Sequence, residues 1–568
     1  MHLYQKQKNR KAIEQVIIHR PTGSLLLSLI LTLAGAGLAT FLTFLPTPAP
    51  WGSLSLAQPQ AAATLQGQAA AAVSGRWMAG DFHQHTLYTD GSFSMSEVMA
   101  SGFRFGLDWQ ANADHGGTSQ WNEHQVFWDD PSLNVLFLGD PVFKDGHRLM
   151  WRWQNLQDYA YPQILAQRAA YPDKLIALSL EWNIPGHEHC LVGIISHDGQ
   201  AISDFEYMFD RQDRDTSRNL PKQNGGHHCL SLARDREAGH RDAIAAAAWL
   251  QANHRYTSWL IPAHPERLRS YDIVHFRDLN NAAPDVAFGF EGIPGHQKAT
   301  IRGDYSLQAD GGGTFGGAGY YVAKVGGVWD ALLGEGRVWS VFANSDFHNI
   351  DRDFWPGEYA KNYTFVQDKN GDGQICLEEL VAGLRSGNSF CVLGDLINAL
   401  DFYLQGRDGA LAFMGQTLKV ARGEGIKIII RFKSPAFNHH HDPVRVDHID
   451  LIAGKISGKV SPGNKRAYRQ ATNRSSRVIA RFTEADWRED EAGWKTIEYY
   501  LERVSQDMYF RLRGTNLGLG VKGETDEEGN PLRDSLRAAS ANGPEAAAWA
   551  DLWFYSNAIF LDVQGSSH

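Results

Sequence analysis

Cysteine is scarce in this sequence of 568 residues. The four cysteines are Cys190, Cys229, Cys376 and Cys391, and no two of them form a Cys-x-x-Cys pair. This spacing excludes a zinc ribbon and a thioredoxin-type redox motif. Four cysteines are also too few for a small scaffold held together by disulfides, although one bridge stays open if the chain is exported.

Long basic runs are missing from the body of the chain, and the formal net charge is −10. A nucleic acid is therefore not expected as a partner. No Gly-x-Ser-x-Gly motif occurs, so a serine nucleophile of that type is not predicted. The glycine-rich tract 311–317 lacks the Lys-Ser/Thr pair of a phosphate-binding loop, and we predict a mobile loop there.

The composition is that of a folded protein, with 43% hydrophobic and 11% aromatic residues. Its length predicts two or three domains. Between residues 76 and 395, apolar runs alternate with helix-like stretches such as 243–253, which predicts an α/β barrel or a parallel sheet. These runs are Leu175–Leu180, Leu191–Ile195, Trp259–Ile261, Val286–Phe290 and Val338–Ala343.

From residue 396 to 568 the pattern changes to strand-like runs separated by polar turns, which predicts a β-rich, sandwich-like domain. The runs are Ile426–Phe432, Val446–Ile452, Arg477–Phe482, Thr496–Leu501, Met508–Arg513 and Leu552–Leu561. The loop His439-His440-His441-Asp442 is the one histidine-rich run in this part of the sequence. Such a loop can bind metal, but a solvated loop is the favoured interpretation.

The N-terminus resembles an export signal. Residues 1–22 are basic, residues 23–45 are apolar, and residues 46–75 read as an Ala-, Gln-, Pro- and Ser-rich linker. The apolar stretch is either an uncleaved membrane anchor or a signal cleaved near 55–57. Both interpretations predict a periplasmic or extracellular body, or one anchored to the outer face of the cytoplasmic membrane.

Histidines and carboxylates recur at the ends of the predicted strands. A barrel brings its strand ends to one rim, so ligands far apart in sequence can converge on one metal cluster. Two imidazoles in a His-x-His strand share one face, and a carboxylate such as Glu181 can bridge two cations. The candidate metal ligands are His83, His85, Asp90, His115, Glu181, His189, His264, Asp346 and His348.

This ordered set resembles the polymerase and histidinol phosphatase (PHP) superfamily, with the CehA/McbA-type metallohydrolases as the most similar branch. The resemblance covers about residues 76–400. It implies a distorted (β/α)7 barrel with two or three divalent cations of zinc, manganese or iron at its C-terminal rim.

The resemblance also implies a role for each ligand. His83, His85, Glu181 and Asp346 would bind a first metal, and Glu181 would bridge to a second metal held by His189 and His264. A third metal would be held by Asp90, His115 and His348. Asp90 stands where some relatives have histidine, which leaves the third site open. The strand-like run from Cys190 favours His189 over His187 as a ligand.

A metal-bound water is the expected nucleophile, because a cation makes bound water easier to deprotonate. Asp90 and His296 are the candidate catalytic side chains beside it. Lys298, Arg302 and Arg267 are candidates for binding an anionic substrate, with surface solvation as the alternative for Lys298 and Arg302. Asp114 either orients a ligand imidazole or makes a structural hydrogen bond.

Residues 368–379 match an EF-hand calcium loop. Asp368, Asn370, Asp372 and Glu379 occupy loop positions one, three, five and twelve, and Gln374 would contribute its backbone carbonyl. A strand is predicted before the loop, at 362–367, and a helix after it, at 377–385. A single loop of this kind is predicted to have a structural role.

Together these features predict an exported metal-dependent hydrolase, with a phosphoesterase as the leading interpretation. The substrate would be a small-molecule or polymer-derived ester. A carbamate, amide or other ester hydrolase on the same site is the first alternative. A binding protein that has lost catalysis is the second.

Overall fold

The computed structural model describes residues 74–223, 236–535 and 543–565, all of which belong to one compact unit. The basic region, the predicted signal or anchor at 23–45 and nearly all of the predicted linker lie outside these residues, as does Cys229. The other three cysteines are free. Among the described residues, no helix combines the length and the apolar character that crossing a bilayer requires.

The secondary structure alternates between strands and helices up to residue 393 and is mostly strands thereafter. In chain order the strands are β1 (Gly75–Asp81), β2 (Trp109–Asn112), β3 (Thr118–Ser119), β4 (Phe143–Lys144), β5 (His147–Arg148), β6 (Met150–Trp151), β7 (Leu175–Trp182), β8 (Cys190–Ile194), β9 (Ser258–Pro262), β10 (Gly289–Ile293), β11 (Ser340–Ala343), β12 (Ala360–Gln367), β13 (Ser389–Leu393), β14 (Ala399–Gln405), β15 (Leu411–Phe413), β16 (Thr417–Ala421), β17 (Ile426–Lys433), β18 (His448–Lys455), β19 (Arg477–Thr483), β20 (Arg488–Glu489), β21 (Lys495–Leu501), β22 (Met508–Thr515), β23 (Trp553–Ser556) and β24 (Ile559–Gln564).

The α-helices are α1 (Met95–Arg104), α2 (Arg152–Asn155), α3 (Tyr161–Ala170), α4 (Gln200–Phe209), α5 (Arg236–Asn253), α6 (Ile273–Ala282), α7 (Tyr320–Ala323), α8 (Val328–Leu333), α9 (Leu377–Ser386), α10 (Lys465–Tyr468) and α11 (Pro544–Ala550).

A distorted seven-stranded barrel forms the first part of this unit, as the sequence predicted. Its strands follow the order β1, β2, β7, β8, β9, β10 and β11. The backbone N–H of Leu260 donates to Val286 O (2.9 Å) and links β9 to the segment that leads into β10. Past the ends of β11 and β1, the N–H of His85 donates to Phe347 O (2.9 Å) and closes the ring.

Strand β8 is reversed, since it pairs antiparallel with both β7 and β9. The pairs β1–β2, β2–β7 and β10–β11 are parallel. The side chain of Asn362, in β12, joins the barrel edge to β11: Nδ2 donates to Ala343 O (2.7 Å) and Oδ1 accepts from Ala343 N (2.8 Å).

The local sequence explains these elements. Strand β7 is an almost continuous apolar run whose residues are buried on both faces, as expected for a central barrel strand covered by helices. Helix α1 begins after Ser94, whose hydroxyl accepts from Glu97 N while the Glu97 carboxylate accepts from Ser94 N (2.9 Å), which is a capping box. Strand β10 begins three residues later than predicted, so Glu291 lies within it.

The C-terminal part contains two sheets, as the β-rich pattern predicted. One includes β16, β24, β22, β23, β18 and β19, and the other has the order β15-β14-β17-β21-β20. Ile428 and Ile430 of β17 belong to the same buried apolar cluster as Leu451 of β18 and Leu512 of β22. The predicted boundary at 395/396 stays a prediction, because β13 pairs with β23 and carries the first sheet across it.

Candidate metal centre

The nine candidate ligands meet at one rim of the barrel because their strands deliver them there. His83 and His85 follow β1, His115 follows β2, Glu181 lies near the end of β7, His264 follows β9, and Asp346 and His348 follow β11. The reversed β8 begins at the same rim, since Cys190 pairs with Trp182 of β7 and Pro262 of β9. His189 therefore joins the others from the start of its strand. These nine residues form the rim cluster.

Glu181 lies at the centre of the rim cluster and is 1% exposed. Its Oε1 is 2.9 Å from His264 Nε2, 3.0 Å from His189 Nδ1 and 3.2 Å from His83 Nε2. Its Oε2 is 3.0 Å from His115 Nδ1 and 3.2 Å from His85 Nε2. Burial acts to raise the pKa of Glu181, but the surrounding imidazoles outweigh it and hold the pKa well below its usual value.

The rim cluster divides into overlapping groups whose ligand atoms are close enough to share one ion. One group is His83, His85, Glu181 and Asp346. Another is His85, Asp90, His115 and His348, in which Asp90 lies 3.4 Å from both His115 Nε2 and His348 Nε2. A third group joins His189 and His264 to Glu188. These groups overlap with the sets implied by the resemblance but differ in detail, because His85 also joins the Asp90 group and His115 shares a group with Glu181 and His189.

Several buried ring nitrogens of the rim cluster lack a hydrogen-bond partner among the described residues: His83 Nε2, His85 Nε2, His115 Nδ1 and His189 Nδ1. Each buried unsatisfied group destabilises a fold by about 1–3 kcal/mol. Their distances to carboxylate oxygens of about 3 Å suit two ligands of one ion, which lie roughly 3.3 Å apart when each bond is about 2.0–2.1 Å. The donor set therefore fits a cluster of divalent cations.

Glu291 and Asp81 support the rim cluster from behind, and the sequence interpretation gave neither a role. Glu291 Oε1 is 2.8 Å from His83 Nδ1, and Oε2 accepts from His264 N (3.0 Å). Asp81 accepts from His83 N (2.9 Å) and from Ser345 N (2.8 Å) and so ties the two ends of the barrel together. A carboxylate inside an otherwise apolar strand, as in Phe290-Glu291-Gly292, was the available signal for Glu291.

His296 lies on the wall of the site, as expected for a candidate catalytic residue. Its Nε2 is 3.1 Å from Asp346 Oδ2, and its Nδ1 is 2.6 Å from Asp353 Oδ1. Burial acts to lower the pKa of His296, but the carboxylates of Asp346 and Asp353 outweigh it and raise the pKa to about 9. Asp353 also accepts from His348 N (2.7 Å), so one carboxylate that the sequence interpretation missed positions two site histidines.

Arg267 reaches the site, where its Nε lies 3.0 Å from Glu188 Oε1. The other oxygen of Glu188 is 3.6 Å from His264 Nδ1. The sequence interpretation missed Glu188 because it weighed only the two histidines on either side of it. Arg267 and Glu188 together line a cavity of about 450 Å³ that also exposes parts of the rim cluster and His296.

Lys298 and Arg302 do not line this cavity. The guanidinium of Arg302 binds Asp551 (2.7 Å), Tyr359 (2.6 Å) and Gln297 (2.9 Å). Lys298 lies 3.7 Å from Glu545 and over the ring of Phe354. Both residues are thus engaged with other parts of the chain, and their substrate-binding role stays a prediction.

The glycine-rich tract 311–317 is held in place, contrary to the mobile loop predicted from its composition. The carboxylate of Asp534 accepts from Gly316 N (2.8 Å), Gly317 N (2.9 Å) and the Thr314 hydroxyl (2.8 Å). The physical reason is that the glycines leave backbone N–H groups accessible to one carboxylate from the C-terminal part of the chain.

Asp114 makes structural hydrogen bonds, which decides between its two interpretations. Its carboxylate accepts from Thr86 N (2.6 Å), Thr86 Oγ1 (2.7 Å) and Thr89 Oγ1 (2.8 Å) and so holds the segment that leads to Asp90.

In the histidine-rich loop of the C-terminal part, His440 Nδ1 is 2.7 Å from Asp442 Oδ2, and both side chains are substantially exposed.

Three residues of the site have a strained backbone. His264, His296 and Asp346 have φ values of 30°, 54° and 45°, a region that residues with a side chain rarely occupy. Such strain persists where the surrounding structure fixes it, and it is common at functional sites. Gly295 is required where its loop crosses Asp346, since a Cβ there would lie 2.1 Å from Ser345 O.

The EF-hand-like loop lies between β12 and α9, as predicted. Asp368 accepts from Gly371 N (2.7 Å) and Gly373 N (2.9 Å), and Asn370 Oδ1 accepts from Asp372 N (3.0 Å). The carboxylate of Glu379 accepts from Lys369 N (2.7 Å) and so closes the loop onto the first turn of α9. Gln374 N donates to Asp372 (2.8 Å).

No protein-family model matches this chain, and no curated protein matches its sequence. Among solved structures, a two-domain protein from Bacteroides vulgatus ATCC 8482, described as containing a predicted PHP-like metal-dependent phosphoesterase, aligns at 10% identity. The alignment covers 77% of this chain and 90% of that chain, with a TM-score of 0.30. That score is too low for a functional conclusion, so the interpretation depends on the geometry of the rim cluster.

Proposed function

We propose that this protein is a metal-dependent hydrolase that cleaves an ester with a metal-activated water, with phosphate esters as the substrate class. The observation that carries this proposal is the buried Glu181 carboxylate, whose two oxygens face different imidazoles at the floor of an open cavity. A carboxylate in this position suits a bridge between two cations. The sequence resemblance to PHP metallohydrolases supports the same class.

The cations, when bound, supply an activated water at neutral pH and stabilise charge that develops on the attacked centre. Residues of the chain hold the site histidines in their orientations. Glu291 fixes the ring of His83 through Nδ1 and the backbone of His264, so both imidazoles keep their orientation. Asp353 fixes His296 in the same way.

An anionic ester is favoured because Arg267 presents a guanidinium to the cavity beside the rim cluster. In the protein alone this group pairs with Glu188 (3.0 Å). A guanidinium binds phosphate oxygens in a bidentate manner, so a phosphate ester could take the place of Glu188 as its partner. Zinc, manganese and iron all suit the mixed imidazole and carboxylate donors.

The test is elemental analysis of the purified full-length protein together with turnover of phosphomonoester, phosphodiester, carboxylester and carbamate substrates. We expect two or three transition-metal ions per chain and turnover of a phosphate ester. Glu181→Ala should lose both, and Glu502→Ala, a change at an exposed carboxylate, should lose neither. If the protein contains metal but turns over only carboxylesters or carbamates, the proposed phosphate-ester class is wrong. If it contains metal and turns over none of the substrates, a binding protein is favoured.

We also propose that residues 368–379 bind calcium as a structural ion. The support is the match of the oxygen-bearing side chains to the EF-hand pattern and the turn made by Gly373 (φ 80°).

A third proposal, which rests on sequence alone, is that residues 23–45 direct export. Cell fractionation followed by N-terminal sequencing would distinguish a cleaved signal, with a new terminus near residue 57, from a retained anchor.

A further inference from the structure

A second group of histidines lies behind the rim cluster. His187 belongs to the hairpin between β7 and β8, His240 lies in α5 and His275 lies in the first turn of α6. One ring nitrogen of each lies within 4.8 Å of one ring nitrogen of each of the others. These three residues form the histidine triad, which has no part in the proposed hydrolysis.

The rings of the histidine triad are arranged as three ligands around one point. Their centroids are 4.6–5.0 Å apart, and their planes cross at 73–89°. Around a tetrahedral zinc ion with Zn–N bonds of about 2.0 Å, three imidazole centroids would lie roughly 5 Å apart. The observed spacing is therefore that of a three-histidine metal site.

Each ring also has a polar group of the chain near the nitrogen that faces away from the others. His187 Nδ1 is 2.7 Å from Ser270 O, and His240 Nε2 is 3.4 Å from Asp278 Oδ2. His275 Nδ1 lies 3.3 Å from Asp272 Oδ1 and accepts from Asp272 N (2.9 Å). A carbonyl or carboxylate at the outer nitrogen, as at His187 and His240, is the usual support of a metal-binding histidine, whereas the outer nitrogen of His275 accepts from a backbone N–H.

The protein's own hydrogen bonds leave one of these rings poorly satisfied. His187 donates to Ser270 O through Nδ1, so its Nε2 must accept from His240 Nδ1 (2.9 Å). The Nε2 of His240 lies 3.4 Å from the Asp278 carboxylate, and this buried nitrogen has no hydrogen-bond partner among the described residues.

We propose that the histidine triad binds a zinc ion with a structural role, separate from the hydrolytic metals. Three imidazoles fill three of the four positions of a tetrahedral zinc site, and the burial of His187 and His240 gives a substrate no access. The ion would fasten the hairpin that carries Glu188 and His189 to α5 and α6. Gly186 and Gly239 already allow that hairpin to approach α5 closely, since a Cβ on Gly239 would lie 2.3 Å from Gly186 N.

Tyr271 connects the histidine triad to the rim cluster. The ring of His187 stacks on Tyr271 with centroids 4.3 Å apart, and the Tyr271 hydroxyl donates to His189 O (2.7 Å). Loss of the ion should therefore loosen a rim ligand without removing it. We expect a lower kcat and weaker metal binding at the rim, rather than complete inactivity.

The experiment counts zinc per chain, by elemental analysis after dialysis, in the full-length protein and in His240→Ala, His275→Gln and His124→Ala. His124 is the matched control because its side chain is 76% exposed. The same four proteins are compared in a Glu181→Ala background, which disables the rim cluster. Far-UV circular dichroism checks that each variant is folded.

We expect His240→Ala and His275→Gln to bind one zinc fewer than the matched His124→Ala protein in both backgrounds. This difference in zinc count does not depend on hydrolysis. The zinc proposal can therefore fail while the proposed function stands, and the proposed function can fail while the zinc proposal stands. An unchanged zinc count in the folded variants would overturn the proposal. If both triad variants are unfolded, the thermal midpoint of the Glu181→Ala protein with an intact histidine triad is measured with and without zinc. A midpoint that rises with zinc supports the site, and an unchanged midpoint overturns the proposal.

Discussion

The rim cluster and the histidine triad contain the same kind of side chain and are only two residues apart in the chain, at His189 and His187, yet their surroundings differ. In the rim cluster, carboxylates stand among the imidazoles, and Glu181 touches five of them. In the histidine triad, Asp272 and Asp278 stand outside the ring of imidazoles. The rim cluster opens on a cavity of about 450 Å³, whereas His187 and His240 are buried.

This difference separates two uses of histidine. Carboxylates between imidazoles neutralise several cations held close together, and an open face admits a substrate, which is what hydrolysis requires. Imidazoles in a closed site suit a single ion that no substrate reaches, and the binding of that ion would add to the stability of the fold. Substitution of one member of each arrangement at a time tests whether the two groups of histidines have these separate roles.

Glu181→Ala should have the largest effect, because it removes the one carboxylate shared by most of the rim imidazoles. We expect turnover to fall by at least about 1,000-fold, together with loss of the transition metals. Steady-state kinetics and elemental analysis measure both. Turnover close to that of the unaltered protein would mean that Glu181 is not the centre of the site.

Arg302→Ala should mainly affect stability, since it leaves the buried carboxylates of Asp551 and Asp534 near one another without their cation. Breaking a buried ion pair lowers the free energy of unfolding by about 3–5 kcal/mol. Chemical denaturation measures the loss. Its counterpart Arg267→Ala should instead raise KM for an anionic ester about tenfold and lower stability less than Arg302→Ala, because Arg267 faces the cavity and its partner Glu188 lines it too. A reversal of the two phenotypes would exchange the roles assigned to these arginines.

Glu291→Gln should weaken metal binding by about 10- to 100-fold while keeping every rim ligand in place. Glutamine has one acceptor oxygen, so it cannot serve both His83 Nδ1 and His264 N as the carboxylate does. Metal titration of the stripped protein gives the affinity. An affinity equal to that of the unaltered protein would show that His83 is oriented without Glu291.

Asp372→Ala should have the smallest effect and should be visible only with calcium present. The change removes one oxygen ligand from the EF-hand-like loop, so the rise in thermal midpoint that calcium gives the unaltered protein should shrink, while the rim metals stay bound. Differential scanning fluorimetry with and without calcium measures it. If calcium shifts neither protein, the loop does not bind calcium in a way that supports the fold.

Much of this structure could be predicted from the sequence, because apolar runs mark the strands and histidines and carboxylates follow the ends of those runs. The apolar runs at Leu175–Leu180 and Leu191–Ile195 became β7 and β8, and the nine ligands converge at the rim. The supporting residues could not be found in the same way. Asp353 and Glu291 act on histidines 57 and 208 positions away, so even the signal at Glu291, a carboxylate inside an apolar strand, did not identify the residue that it supports.

Arg302 is a residue whose partner could not be predicted from its position in the sequence. A basic residue shortly after a barrel strand suggested contact with an anionic substrate, but its partner is Asp551, 249 positions away. Only the folded chain reveals that the C-terminal part supplies this carboxylate. The histidine triad was hidden for a related reason, since its members come from a hairpin and two different helices.

The closure of the barrel between Gln84 and Phe347 has a consequence for how the protein acquires its metals. Glu181 and His189 come from one hairpin, so they are neighbours as soon as β7 and β8 pair. Asp346 reaches His83 only when strands more than 250 positions apart meet, a late and slow event for a chain. Cations that bridge these residues would stabilise the closed barrel. Removal of the cations by chelation should therefore separate the segments that follow the first and last barrel strands.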